Sequence, residues 1–413
     1  MKKLFPMLLP LLLLCACSGQ PEVPVPSAPE TPGEVIVYQP PKDEDPQPQS
    51  GTVIYDPTKP PEPAPAPEPE PQPQPEPQSE PLSLPEQILA GMSIEEKVGQ
   101  LFLVRCPASG QAELIGAYHP GGYILFASDF EKNTPAQMRT VIASYQAASN
   151  VPMLIAADEE GGTVTRISRY AQYRPEKFLS PRDAYAAGGW DYVTAEAAEK
   201  ASLLTSLGVN VNVAPVCDVA RSESDFIYAR SFGTDAEAVS QYVTAVVQTA
   251  NAGGLGSVLK HFPGYGDNRD THTGSAYDER PRETFETVDL LPFKAGIDAG
   301  AGAVMVSHNT IACMDAEHPA SLSPAVHNWL RALGFDGVIV TDDLVMQAIT
   351  DTIGPEQAAV DAILCGNDLI CCTDYASQIP AVLNAVKSGV ISEARLNESV
   401  LRILEWKNTL GIL

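Results

Sequence analysis

The chain has 413 residues, 38 prolines, 8 cysteines and a formal net charge of −26. At roughly 100–200 residues per domain, this length allows two or three domains, although an α/β barrel often uses more residues in one. The acidic balance excludes sequence-independent binding of DNA or RNA, because such proteins present a basic stripe and none is visible in this sequence.

Residues 1–16 have the pattern of a signal peptide. Lys2 and Lys3 give a positive start, and an apolar run follows from Leu4 to Leu14. About ten apolar residues are too few for a mature membrane-spanning helix, which needs about 20. The run ends in Leu-Cys-Ala-Cys, which resembles the lipobox of bacterial lipoproteins. That resemblance implies lipidation of Cys17 and anchoring to the bacterial membrane outside the cytoplasm, with an ordinary signal peptide as the alternative.

Residues 17–83 are expected to form a disordered linker. Between Pro21 and Ser83 the chain holds 21 of its 38 prolines and 12 acidic residues against two lysines. Such a segment buries too little apolar surface to offset the entropy of ordering. Proline at alternate positions in residues 61–77 favours an extended polyproline II stalk. A proline-rich ligand for a partner domain is the alternative, which the scarcity of neighbouring basic residues disfavours.

Residues 84–413 alternate eight short apolar runs with helix-like segments. Strands buried on both faces read as continuous apolar runs, and their alternation with helices indicates a parallel sheet. The pattern predicts an α/β fold, a single (β/α)8 TIM-type barrel, with a doubly wound open sheet as the alternative. The apolar runs are residues 98–104, 121–126, 152–157, 209–216, 256–259, 303–306, 337–340 and 368–372. The helical segments include residues 194–207, 235–252, 284–299 and 375–388.

Most of the apolar runs are followed directly by ionisable residues. In a barrel the carboxyl ends of all strands meet at one face, where active sites are built. Any one of these residues alone is more typical of a helix N-cap or a solvated loop. Their convergence indicates an active site that includes Asp158, Asp218, Lys260, His261, His308, Asp342 and Asp374.

The segment Lys260–His272 contains the most specific pattern. It reads Lys-His-Phe-Pro-Gly-Tyr-Gly and continues to Asp270 and His272. Asp270 and His272 are two residues apart, so in an extended loop the carboxylate can reach an imidazole nitrogen. This contact fixes the tautomer of the histidine and raises its basicity, which suits a general acid/base. Taken alone, such a pair is also typical of a simple loop hydrogen bond.

Four segments in this order and spacing resemble glycoside hydrolase family 3, in its β-N-acetylglucosaminidase branch. The resemblance covers nearly all of residues 84–413, and Tyr265 stands where the family commonly has histidine. The segments are Asp158-Glu-Glu-Gly-Gly-Thr-Val-Thr-Arg166, Asn212-Val-Ala-Pro-Val-Cys-Asp218 with Arg230-Ser-Phe-Gly233, the Lys260–His272 segment, and Gly337-Val-Ile-Val-Thr-Asp342-Asp-Leu-Val-Met346.

The resemblance implies a retaining exo-glycosidase that removes terminal β-linked N-acetylglucosamine, from peptidoglycan fragments or other glycans, with no metal or other cofactor. Asp342 would be the nucleophile and form a covalent glycosyl-enzyme. His272, held by Asp270, would be the general acid/base in place of the usual second carboxylate. The sugar-binding residues would be Asp158, Arg166, Arg230, Lys260 and His261.

Three alternatives remain open from the sequence. The first is a family 3 β-glycosidase or glycoside phosphorylase of other sugar specificity. The second is a non-catalytic sugar-binding lipoprotein. The third is a metal-dependent barrel hydrolase, which the absence of H-x-H and H-E-x-x-H spacings disfavours; its ligands would be His261, Asp270, His272 and His308.

The sequence also gives expectations for several further residues. Asp343 is expected to support Asp342 or to cap a helix, and His308 is equally consistent with a structural hydrogen bond and a substrate contact. Surface positions are expected for His119, His318 and His327. We expect free and mostly buried thiols at Cys106, Cys217, Cys313, Cys365, Cys371 and Cys372. The oligomeric state does not follow from the sequence.

Overall fold

The computed structural model describes residue 58 and residues 81–413. The predicted signal peptide, Cys17 and nearly all of the linker predicted for residues 17–83 therefore lie outside the described residues. The part from residue 81 onward forms one α/β barrel, as predicted for residues 84–413.

Eight parallel strands form the barrel wall, and each pairs with its neighbour in sequence. The sheet closes because Phe102 in the first strand pairs with Ile370 in the last, and a bridge joins Val340 to Leu369. This closure excludes the open doubly wound sheet. The strands are β1 (Phe102–Arg105), β2 (Gly122–Leu125), β3 (Leu154–Ala157), β4 (Val211–Asn212), β5 (Gly256–Phe262), β6 (Ala303–Val306), β7 (Val338–Thr341) and β8 (Ile370–Cys372).

Helices surround the barrel wall and fill the connections between strands. Serine or threonine N-caps begin several of them, with full capping boxes at Ser83, Ser93 and Thr134. The longer helices are Leu84–Gly91, Ile94–Gln100, Gln111–Tyr118, Pro135–Ala148, Pro181–Leu207, Ala236–Ala252, Leu290–Asp298, Pro324–Ala332, Pro355–Cys365, Tyr375–Lys387 and Glu393–Thr409. Short helical turns lie at Ala127–Phe130, Phe226–Ala229, Thr271–Thr273, Arg282–Thr284, Phe285–Asp289, Ala320–Leu322 and Gln347–Thr350. A two-stranded ribbon of Tyr277–Asp278 and Thr310–Ile311 lies outside the barrel.

The barrel interior is packed with apolar side chains and is closed at one end by Trp406, from the C-terminal helix Glu393–Thr409. Gly302, just before β6, allows this approach, because a Cβ atom there would overlap the indole ring. Because the interior is filled, a ligand cannot enter the barrel itself, and in such barrels active sites lie at the carboxyl ends of the strands.

Some predicted boundaries were wrong for local reasons. The run 98–104 begins in the helix Ile94–Gln100, which starts at the Ser93 cap, so the strand begins only at Phe102. Only Val211 and Asn212 of the run 209–216 form β4, and an isolated bridge joins Val216 to Lys260 after Pro215, which has no N–H to donate. Residues 256–259 extend as a strand to Phe262.

The prediction of a surface position was wrong for His327, which is 2% exposed. It lies on the inward face of the helix Pro324–Ala332, where its Nδ1 donates to the carbonyl of Ser323 at 2.7 Å. Its ring packs closely against Gly366. All six cysteines of residues 81–413 are free, and five of them are buried. No helix in this range combines the length and apolar character needed to cross a membrane.

Candidate active site

A cavity of about 560 Å³ lies at the carboxyl ends of the strands. Its size is typical of a site for a small molecule. All eight residues predicted to bind or transform substrate line this one cavity: Asp158, Arg166, Arg230, Lys260, His261, Asp270, His272 and Asp342. The structure therefore brings together every residue to which the family resemblance assigns a catalytic or sugar-binding role. Asp218, His308 and Asp374, which the strand pattern also placed in the active site, do not line this cavity.

Asp342 directly follows β7 and is partly exposed to the cavity. Its Oδ1 accepts the N–H of Asp343 at 2.8 Å. Burial would raise the pKa of Asp342, but the imidazoles of His308, His261 and His272 offset this effect and hold the pKa below its usual value. A carboxylate in this setting is ionised at neutral pH and available as a nucleophile.

Asp270 and His272 form a hydrogen-bonded pair in the loop after β5. The Nδ1 of His272 lies 2.7 Å from Oδ1 of Asp270, which also accepts the N–H of His272 at 3.0 Å. Asp270 is the N-cap of the short turn Thr271–Thr273, so the local backbone sets the geometry of the pair. With Nδ1 engaged by a carboxylate, Nε2 is the nitrogen left to exchange a proton. The side chain of His272 is 60% exposed.

A cluster of buried charges lies on the β3–β5 side of the cavity. Lys260 Nζ lies 2.7 Å from Asp158 Oδ1 and 2.6 Å from Glu160 Oε1. Arg230 makes two hydrogen bonds to Glu160, at 3.0 and 2.7 Å, and Arg166 lies 3.2 Å from Asp158. These contacts fix the side chains before any ligand is bound.

The cations of this cluster control the protonation of its carboxylates. Burial alone would raise the pKa of Asp158 and of Glu160. Lys260, together with Arg166 or Arg230, outweighs that effect and holds both pKa values below the ordinary range. Burial would lower the pKa of Lys260, but the two carboxylates raise it instead. The cluster therefore stays fully ionised at neutral pH.

Asp218 orients His261. Its Oδ2 lies 2.8 Å from Nδ1 of His261 and accepts the backbone N–H of that residue at 3.1 Å. On the other side of the ring, Nη2 of Arg230 lies 3.2 Å from Nε2. The ring of His261 is thus held from both sides, by Asp218 and by Arg230.

Sequence reasoning missed two cavity residues in particular. Glu160 lies two positions after Asp158 in the same motif, and this spacing was the available signal. Arg105, at the end of β1, places its guanidinium 3.9 Å from the centre of the Phe126 ring. Arg105 directly follows the apolar run 98–104, so its position at the end of a predicted strand was the available signal.

His308 and Asp343 support the end of β7. His308 is buried, with Nδ1 at 2.7 Å from Ser321 Oγ and Nε2 at 3.1 Å from the carbonyl of Asp343. Its role is thus a structural hydrogen bond. Asp343 accepts the N–H groups of Val345 and Thr373, and its carboxylate also lines the cavity rim. It joins the loops after β7 and β8.

Two of the four residues considered as metal ligands, His261 and His308, have ring nitrogens engaged by other groups. His261 bonds to Asp218, and His308 bonds to Ser321 and a backbone carbonyl. Within residues 81–413, no group of three or more histidine, cysteine, aspartate or glutamate side chains has an arrangement suited to a metal ion.

The chain is similar to proteins of known family. Beta-hexosaminidase A of Pseudoalteromonas piscicida is 31% identical over 328 residues, which cover 72% of this chain and 55% of that protein. Beta-hexosaminidase LpqI of Mycobacterium tuberculosis is 31% identical over 345 residues, covering 80% of this chain and 85% of that protein. A solved glycoside hydrolase family 3 beta-N-acetylglucosaminidase from Paenibacillus is 33% identical, with a TM-score of 0.73, covering 78% of this chain and 63% of that structure.

The chain thus spans about half of the Pseudoalteromonas relative and most of the mycobacterial one. The sequence profile of the Glycosyl hydrolase family 3 N terminal domain matches residues 93–406, which include the whole barrel wall and every residue of the cavity. This chain therefore belongs to glycosyl hydrolase family 3.

Proposed function

We propose that this chain is a retaining exo-glycosidase that hydrolyses terminal β-linked N-acetylglucosamine residues. One observation carries the proposal: a single cavity holds an ionised carboxylate, Asp342, together with the Asp270–His272 pair and an array of sugar-binding polar groups. The names of the relatives, which are beta-hexosaminidases and a beta-N-acetylglucosaminidase, support this choice of sugar.

In the first step, a carboxylate oxygen of Asp342 attacks the anomeric carbon and the bond to the leaving oxygen breaks. His272 gives its Nε2 proton to that oxygen as the bond breaks. Asp270 stabilises the imidazolium that precedes this transfer. Proton transfer of this kind contributes about 10²–10⁴-fold to a rate, and most for a leaving group that is a poor anion.

In the second step, the neutral His272 removes a proton from water, which attacks the glycosyl-aspartate and releases the sugar. Asp342 is regenerated as a carboxylate. A histidine suits this role because its neutral form places no second negative charge beside the nucleophile. Two adjacent carboxylates would instead raise the pKa of one of them.

Sugar recognition is assigned to the buried charge cluster and to His261. Hydroxyl groups can accept from Lys260 and Arg166 and donate to Asp158, all of which reach the cavity. Because the side chains are already held by one another, little rotamer entropy is lost when a sugar binds. Terminal residues of peptidoglycan fragments, or of other glycans that contain N-acetylglucosamine, are the proposed substrates.

The activity is tested with a panel of nitrophenyl glycosides, in the presence and absence of phosphate and of EDTA. We expect nitrophenol release from the β-N-acetylglucosaminide, unaffected by EDTA and independent of phosphate. Faster release from a β-glucoside would favour another glycosidase specificity, and a requirement for phosphate would favour a phosphorylase. No release from any substrate, with saccharide binding retained, would favour the non-catalytic sugar-binding protein.

We also propose that Cys17 carries lipid and anchors the enzyme to the bacterial membrane outside the cytoplasm. The proposal rests on the lipobox-like sequence that ends at Cys17. Metabolic labelling with a palmitate analogue tests it, comparing Cys17→Ser with the neighbouring control Cys15→Ser. Wild type and C15S should be labelled and should sediment with membranes, whereas C17S should not. Equal labelling of the two variants would refute the assignment.

A further inference from the structure

Tyr265 lies beneath the loop that carries the Asp270–His272 pair. It is 2% exposed, and its hydroxyl lies 2.6 Å from Oγ1 of Thr271. Thr271 is itself fully buried and is the residue between Asp270 and His272. Both neighbours are far more open, with side chains 28% and 60% exposed. The Asp270–His272 pair is therefore anchored through the residue that lies between its two members.

The rest of the loop is held at its two ends. Near the start, Asn268 donates to the carbonyl of Tyr265 at 3.1 Å and to the carboxylate of Asp278 at 2.5 Å. Near the end, Arg280 bonds to Asp278 and to the carbonyl of Gly264. These contacts close the base of the loop, but they do not reach the turn. The turn rests on Tyr265 and against the helix Gln347–Thr350.

Tyr265 also contacts the sugar-binding side of the cavity. Its backbone N–H donates to Oδ1 of Asp218 at 2.7 Å, and the other oxygen of this carboxylate orients His261. The Tyr265 and His261 rings meet edge to face with their centres 5.1 Å apart. A displacement of Tyr265 would thus move both the acid/base turn and a residue assigned to sugar binding.

The hydroxyl of Tyr265 acts as a neutral group. Burial raises the pKa of Tyr265, and the carboxylate of Asp342 raises it further, so the hydroxyl stays protonated throughout the pH range of an enzyme assay. Its bond to Thr271 is a hydrogen bond between two neutral groups. Removing one member of such a pair changes an equilibrium by about two- to tenfold.

We propose that Tyr265 is a positioning residue for the acid/base: its hydroxyl holds Thr271, and through Thr271 it keeps the Asp270–His272 pair at the cavity. This inference rests on the proposed glycosidase function. The hydroxyl is assigned no contact with substrate, and its removal leaves the backbone bond from Tyr265 to Asp218 in place. Loss of the hydroxyl should therefore matter only where proton transfer from His272 limits the rate.

The kinetic test compares Tyr265→Phe, Thr271→Val and the double variant with wild type. For a poor leaving group, the β-linked disaccharide of N-acetylglucosamine, kcat/KM should fall roughly two- to tenfold in each single variant. For the activated dinitrophenyl glycoside it should change less than twofold, because that leaving group needs no proton. The double variant should lose no more than a single one, and Thr271→Ser should restore activity. Tyr277→Phe, an equivalent change at a 52% exposed position of the same segment, is the control.

Hydrogen–deuterium exchange of the peptide spanning residues 266–275 provides a readout that does not depend on activity. Exchange should be roughly two- to tenfold faster in Y265F and T271V than in wild type or Y277F. Equal losses on both substrates, additive losses in the double variant, or unchanged exchange would each overturn the proposal. If the wild type cleaves no N-acetylglucosaminide, the proposed function fails, and the exchange result still decides whether this hydrogen bond holds the turn.

Discussion

Replacing Glu160 by glutamine tests the buried charge cluster at the centre of the site. Glu160 is 4% exposed, and its Oε1 lies 2.6 Å from Lys260 Nζ and 2.7 Å from Arg230 Nη2. Glutamine keeps the size of the side chain and one acceptor oxygen but removes the negative charge. Lys260 would then retain Asp158, while Arg230 would face a neutral amide.

The size of the effect follows from the cost of a buried charge that loses its partner. Removing one member of a buried ion pair costs about 3–5 kcal/mol. Because Asp158 remains beside Lys260, we expect E160Q to lower the free energy of unfolding by about 3 kcal/mol at pH 7. The matched control is Glu196→Gln. Glu196 is 8% exposed and accepts the N–H of Leu179, and it makes no direct ion pair within residues 81–413. Burial raises the pKa of Glu196, and the attraction of Lys200 and Arg174 only partly offsets this effect, so about 1 kcal/mol is expected.

The effect should also depend on pH in a defined direction. Burial would raise the pKa of Glu160, but Lys260 and Arg230 hold it well below its ordinary value near 4.5. As the pH falls, the unfolded chain is protonated first, so the stabilisation by this carboxylate is complete above about pH 5 and decreases below it. The difference between wild type and E160Q should be smaller by about 0.8 kcal/mol at pH 4 than at pH 7.

Urea denaturation followed by tryptophan fluorescence at the two pH values measures these differences. E160Q and E196Q should separate clearly at pH 7 and approach each other at pH 4. If E160Q is as stable as E196Q at pH 7, or if its deficit grows as the pH falls, the cluster does not stabilise the fold in the way described.

Three further predictions concern the nucleophile, the acid/base and a buried lysine. Asp342→Asn should lower kcat by at least about 10³-fold without a large loss of saccharide binding, whereas the neighbouring variant Asp343→Asn should retain measurable turnover. Substantial activity in D342N would show that Asp342 is not the nucleophile. His272→Ala should lose about 10²–10⁴-fold on natural glycosides and far less on activated aryl glycosides, and equal losses on both would make His272 a structural residue. Lys407 is buried and donates a hydrogen bond to Oε1 of Gln100, and burial lowers the pKa of Lys407 to about 7. The unfolded chain keeps this proton up to a higher pH, so the stability of wild type relative to Lys407→Met should rise from pH 7 to 10, by at most about 1.4 kcal/mol per pH unit. A difference in the free energy of unfolding that stays constant over this pH range would contradict the prediction.

The barrel and the location of its site were predictable because both depend on local patterns. Strands buried on two faces must be apolar along their length, and those patterns located all eight strands to within a few residues. The polar residue after each strand lies at the same face whatever the exact packing. Predictions failed where a cap or a proline acted locally, as at Ser93 and Pro215, and where one face of a helix turned inward, as at His327.

The contacts that give the site its chemistry were not predictable, because they join residues far apart in the chain. Lys260 meets Asp158 across 102 positions, Arg230 meets Glu160 across 70, and His261 meets Asp218 across 43. No local pattern distinguishes a carboxylate that will face two cations from one that will cap a helix.

The sequence by itself determined the alternation of strands and helices, the end of the barrel at which ionisable groups collect, and the Asp270–His272 pair two residues apart. Each of these follows from interactions between near neighbours in the chain. The tertiary structure decided which carboxylates are neutralised by cations, that Asp218 orients His261, and that Tyr265 supports the acid/base turn through Thr271. Those outcomes depend on distances and burial, which are set only when the barrel closes and brings separate strand ends to a common rim.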